Sequence, residues 1–231
     1  MPYSQEEPFV QELTKTFAIQ ALAELNKRRA SSEEELDEAT LQNIALEYLI
    51  KVLPMSNLKK KEFSIREDLG FSSDKSPCAD LVIFNPWDNP KLENIYTLIE
   101  IKRTYERSVE YKKVIQDIAR LVVVSRKRGV STYLFLCGRE TNIKKLFKGP
   151  VSSFLSTEVS EPDLETKNIN LSKYLECDYK KALSSCDVQI INTKLLTPVT
   201  LDGYSCFAWR IQSQKEEKIR DKIKFVVIEK I

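Results

Sequence analysis

The sequence predicts an α/β protein built on a central mixed sheet, and two runs of residues carry that prediction. The first is a hairpin: Ala79-Asp80-Leu81-Val82-Ile83-Phe84, a loop rich in Asn and Pro, then Ile95-Tyr96-Thr97-Leu98-Ile99-Glu100-Ile101-Lys102. The second follows directly. A helix running to about Arg128 and ended by Gly129 leads into the apolar run Ser131-Thr132-Tyr133-Leu134-Phe135-Leu136-Cys137. A buried strand reached through a helical crossover pairs parallel to the strand before it, so the sheet is mixed.

The elements follow in order. Phe9, Leu13, Phe17, Ala21 and Leu25 recur at helical spacing and predict an extra N-terminal helix over about 5–29. Ser32 and Glu35 form a capping box for a second helix that runs to about Leu53, before Pro54. Its apolar stripe is Leu41, Ile44, Ala45, Tyr48, Leu49 and Val52. Lys59-Lys60-Lys61 reads as a solvated connector to a short strand at 63–66, and the hairpin comes next. Ser108 caps the helix after the hairpin, and a short helix over 142–148 stops at Gly149-Pro150. Residues 151–170 read as a polar linker. A helix near 171–184 and strands near 188–195, 204–212 and 224–229 complete the chain, with Thr200-Leu201-Asp202-Gly203 as a hairpin turn. The predicted division is a core over 1–150 and a C-terminal α+β extension over 151–231, packed on it.

Composition excludes several functions. There is no histidine among 231 residues, so chain-supplied Ser-His-Asp and Cys-His catalysis is ruled out, as are zinc sites that use His. The five glycines form no phosphate-binding spacing. Five cysteines without Cys-x-x-Cys spacing fit buried thiols in a reducing cytoplasm. No apolar run of about eighteen residues is present, and the N-terminus resembles no export signal, so no membrane partner is expected. What remains is chemistry by carboxylate, lysine and an oxygen-preferring cation.

Charge is segregated although the net value is only +2. Residues 1–50 hold ten acids and four bases, a balance of −6. Residues 102–128 hold nine bases and three acids, a balance of +6. A basic zone of that kind suits a phosphate backbone, and equally a helix whose C-terminal dipole favours cations.

The hairpin gathers the candidate chemistry. With the loop centred near Pro90, Asp80 lies opposite Glu100 and Phe84 opposite Tyr96. Strand residues alternate faces, so Glu100 and Lys102 point one way and Ile101 the other, into the interior. Glu-x-Lys occurs four times in the chain, but only Glu100/Lys102 is embedded in an aliphatic strand with an Asp on its hairpin partner. Charged groups in such surroundings must pair with one another or hold a metal.

This hairpin resembles the core of the PD-(D/E)xK nuclease superfamily over roughly residues 33–138. Ala79 stands where the nominal motif has Pro, with Pro77 three positions ahead of Asp80. The resemblance implies a restriction-endonuclease-like α/β/α core. It also implies a Mg2+-dependent nuclease acting on DNA, with Mn2+ able to substitute, as in a restriction-like or defence endonuclease. In that reading Asp80, Glu100 and the Ile101 carbonyl hold the metal, and Lys102 orients or deprotonates water or stabilises developing charge. Glu47 corresponds to a further helix carboxylate. Gln116 is similar to the helix glutamine of RecB-like members. Arg103, Arg107, Lys112 and Lys113 follow the site and are the candidate DNA contacts. A homodimer would suit double-strand cleavage. The alternatives are a catalytically silent DNA-binding or assembly subunit of the same fold, or an interaction protein in which Asp80, Glu100 and Lys102 form a structural ion network.

Overall fold

A computed structural model describes residues 15–17, 19–21, 23–24, 37–52, 58–65, 78–84, 95–104, 111–158, 164–188, 190–196 and 198–213. The elements in chain order are α1 (Glu38–Val52), β1 (Leu58–Ser64), β2 (Cys78–Phe84), β3 (Ile95–Arg103), α2 (Tyr111–Arg128), β4 (Ser131–Arg139) and α3 (Glu140–Leu146). They continue with a 3-10 turn (Pro150–Ser153), β5 (Leu164–Lys167), α4 (Asn168–Ser172), α5 (Cys177–Ser185), β6 (Ile190–Leu195), β7 (Val199–Leu201) and β8 (Tyr204–Ser213). Residues 15–17, 19–21 and 23–24 are helical, within the span of the expected first helix.

The fold is α/β, on one mixed sheet of strand order β1-β2-β3-β4-β8-β6-β5, with β7 also paired to β8. β3 and β4 run parallel, joined through α2 as the crossover pattern predicts, and β8 lies antiparallel on the other side of β4. β4 is buried from Thr132 to Gly138 because it has a strand on each edge and apolar layers on both faces. On one face Val82, Leu98, Leu134 and Trp209 pack with Val114, Ile118 and Val122 of α2. On the other, Leu81, Ile99, Ile101 and Phe135 meet Leu41, Ala45 and Leu49 of α1, together with Phe17 and Ala21. Helices on both sheet faces are what amphipathic stripes flanking a buried strand require.

Several boundaries differ from expectation. α1 starts at Glu38, and Asp37 caps it by accepting a 2.6 Å hydrogen bond from the Thr40 N–H; Ser32 and Glu35 lie outside the described residues. Lys59–Lys61 lie within β1 rather than in a connector before it: Lys59 and Lys60 are paired to β2, and Lys61 falls in the register shift between Lys60 and Phe63. The hairpin register holds at Leu81↔Ile99, Val82↔Leu98 and Ile83↔Thr97, then shifts so that Phe84 faces Ile95 and not Tyr96. The expected polar linker contributes β5, paired to β6 at the sheet edge. The helix expected near 171–184 is two helices, α4 and α5. The strands of residues 164–213 therefore continue the sheet that β1–β4 begin. The final strand expected near 224–229, the loop containing Trp87, and Ser108 lie outside the described residues.

Two turns use the chemistry read from sequence. Gly129 (φ 60°) ends α2 in the left-handed region, its N–H bonding the Ser125 carbonyl at 2.8 Å. Asp202 (φ 49°) and Gly203 (φ 74°) are the two central residues of the β7–β8 hairpin turn, both at positive φ as a type I′ turn demands. All five cysteines are free; Cys78 is half-buried and Cys177 exposed, while Cys137, Cys186 and Cys206 are buried. No helix among the described residues is long and apolar enough to cross a membrane.

Candidate functional site

The site forms where β3 ends between the two helical layers. Strand alternation turns Ile101 into the α1-side core and leaves Glu100 and Lys102 on the α2 side. Asp80 stands one step beyond the last described β2–β3 pair, Leu81↔Ile99, so the register brings it opposite Glu100. Its Oδ2 accepts the Ile101 N–H at 2.8 Å, and its Oδ1 accepts Gln42 Nε2 at 2.8 Å. The carboxylate thus takes the place of a ladder partner for β3 and ties the strand end to α1.

Two helices complete the cluster. From α1, Glu38 Oε1 lies 3.4 Å from Lys102 Nζ, with Gln42 one turn further on the same face. From α2, Asp117 Oδ2 lies 3.5 Å from Lys102 Nζ. Lys102 Nζ is also 3.2 Å from Glu100 Oε1, so three carboxylates share one ammonium. Arg120, one turn after Asp117, places Nη2 against both Glu100 Oε1 and Asp117 Oδ1, while its Nη1 donates to the Cys78 carbonyl at 3.3 Å. Glu100, Asp117 and Gln42 are each at least 96% buried.

Charge explains the electrostatics. Four carboxylates (Glu38, Asp80, Glu100, Asp117) meet two cations (Lys102, Arg120), which leaves two negative charges uncompensated when all are ionised. Burial drives the Asp80 carboxyl up to about 6, against the pull of Lys102 and the Ile101 hydrogen bond. Burial, reinforced by the neighbouring Asp117 charge, drives Glu100 up to about 8 although Arg120 and Lys102 oppose it. Burial works against the charged forms of Lys102 and Arg120, yet the surrounding carboxylates, Asp117 foremost, outweigh it and hold both firmly protonated. From α5, the Tyr179 hydroxyl is pushed up by burial and sits within electrostatic reach of Arg120.

The structure gathers Asp80, Glu100 and Lys102, as expected from sequence, and turns Glu47 away from them. Glu47 is exposed. It lies nine residues beyond Glu38, about two and a half helical turns and so the opposite face of α1; the α1 carboxylate at the site is Glu38. Gln116 is half-buried and its neighbour Asp117 enters the cluster in its place. Ile101 meets Asp80 through its N–H. Arg103 is half-buried at the end of β3, and Lys112 and Lys113 are exposed on the first turn of α2; Arg107 lies outside the described residues. The additional members are Glu38, Gln42, Asp117 and Arg120. Asp117 carried a legible signal, since it interrupts the apolar run of α2 at a position that must be buried if the helix packs on a sheet.

The donor set suits a hard cation. Carboxylate and amide oxygens are the ligands Mg2+ and Mn2+ prefer. Gln42 Oε1 and Asp117 Oδ2 are buried and make no hydrogen bond. As the side chains stand, no three acidic or cysteine groups among the described residues are spaced around one ion position. The Arg120 guanidinium lies between Glu100 and Asp117, two of the carboxylates that would supply it. Comparison with protein-family models, with curated proteins and with solved structures returns no match.

Proposed function

We propose that the chain is a metal-dependent nuclease that hydrolyses phosphodiester bonds of DNA, with a restriction-endonuclease-like core and a restriction or defence role. The observation that carries this reading is the convergence of Asp80, Glu100 and Lys102 at one sheet end, in a cluster where four carboxylates face two cations. A divalent cation held by Asp80 and Glu100 would offset that excess and, when bound, supply Lewis-acid neutralisation of the phosphoryl oxygens. Lys102 is held protonated by three carboxylates. It therefore serves to stabilise charge developing on the phosphate, and proton abstraction is the wrong role for it at neutral pH. Gln42 and the Ile101 N–H fix the Asp80 carboxylate, which restricts the position of the bound ion. Arg103 at the end of β3, and Lys112 and Lys113, exposed on the first turn of α2, are the residues that would take the phosphate backbone.

One observation favours a second reading. Arg120 pairs with Glu100 and Asp117 at once, as a purely structural ion network would require. Plasmid nicking separates the two. The wild type should nick with Mg2+ or Mn2+, and Asp80→Ala and Lys102→Ala should not. Equal background cutting by all three proteins would leave the ion network standing.

A further inference from the structure

We infer that Arg120 is the resident counter-ion of the cation site, holding Glu100 and Asp117 in competition with a divalent metal. The inference rests on reading the cluster as a metal site, and it adds Asp117 and Arg120 to that site as metal-controlling residues.

The geometry is specific. One nitrogen, Arg120 Nη2, contacts a carboxylate oxygen from β3 and another from α2, so it occupies the point between two groups from different elements. Its other terminal nitrogen is anchored on the Cys78 carbonyl of β2, which holds the guanidinium in that position. At the same time Gln42 Oε1 is buried without a hydrogen bond, and the buried Asp117 Oδ2 makes none either and has only the 3.5 Å ion pair to Lys102 Nζ. A guanidinium carries one charge and only donates hydrogen bonds from a planar fork, so it cannot satisfy oxygens spread around a point. A divalent ion can, and it carries the charge the cluster lacks. Metal entry therefore requires Arg120 to release Glu100 and Asp117.

The test is calorimetric titration of the full chain with manganese chloride, comparing wild type, Arg120→Lys and Arg120→Gln. Loss of the charge-assisted bonds should tighten Mn2+ binding about tenfold or more in Arg120→Gln, with Arg120→Lys in between. Thermal melting in EDTA should show Arg120→Gln destabilised, and Mn2+ should raise its melting temperature more than that of wild type. If wild type binds Mn2+ and the variants bind equally or more weakly, the competition is overturned while the metal site stands. If no form binds Mn2+, both fall. Should Arg120→Gln not fold, the wild type still decides: in side-chain 15N spectra, Mg2+ should shift the Arg120 Nε–Hε signal, assigned through Arg120→Lys. An unmoved signal at saturating Mg2+ would overturn the inference.

Discussion

Replacing Asp80 by Asn tests the electrostatic account of the site most directly. Asn is isosteric, can still accept the Ile101 N–H, and can donate to Gln42 Oε1 if the Gln42 amide turns over, so packing is conserved and charge is removed. Burial raises Asp80 from its ordinary 3.8 to about 6 in the folded protein. A carboxyl whose folded value lies above its unfolded value binds more protons when folded, so its ionisation destabilises the fold as pH rises between the two. Two units at about 1.4 kcal/mol each set a ceiling of about 3 kcal/mol. Asp80→Asn should therefore be more stable than wild type in EDTA, by roughly 1 kcal/mol at about pH 4.5 and about 3 kcal/mol at about pH 7.5, with little further change above. Urea unfolding followed by the fluorescence of Trp209, which is fully buried, measures the difference at each pH. A difference that is constant across this window, or that favours the wild type at neutral pH, would refute the argument.

Other outcomes follow from the same geometry. Lys102→Met removes the ammonium that Glu38, Glu100 and Asp117 share, leaves Glu100 and Asp117 on Arg120 alone, and should cost about 3 kcal/mol at neutral pH in EDTA, with Mn2+ restoring part of it in denaturant titrations. Glu38→Gln should weaken plasmid nicking, whereas Glu47→Gln, on the opposite and exposed face of α1, should match wild type in nicking and lie within about 0.5 kcal/mol of it in stability. Gly138→Ala should destabilise by about 1–3 kcal/mol, because the new Cβ would meet Thr104 Oγ1 at 2.0 Å and the Thr104 carbonyl at 3.1 Å. Pairing it with Thr104→Ala, which removes the nearer atom, should recover part of that loss in the same unfolding assay.

Local pattern determined the order of the core elements. The hairpin strands, the helix ended by Gly129, the buried strand parallel to β3 and the Asp-Gly turn were all legible in sequence, because each is set by side-chain period and by residues suited to positive φ. The alternation of Glu100, Ile101 and Lys102 was legible for the same reason, and so was the approach of Asp80 through the hairpin register. The start of α1 was not, since both Ser32 and Asp37 are residues suited to capping and only the observed Thr40 bond selects one.

Tertiary packing decided who shares the site. The helical period aligns Glu38 with Leu41, Ala45 and Leu49 and sets Glu47 opposite, but only the packing of α1 on the sheet brings Glu38 to Lys102. Asp117 and Arg120 become partners of Glu100 only when α2 crosses back over β3 and β4, a contact between residues far apart in the chain. The same holds for the sheet's second half, because β8 pairs with β4 across some seventy residues and no short-range pattern encodes that partner. Sequence period specifies which side of an element is apolar, whereas the balance of charge at a buried point depends on which elements meet there.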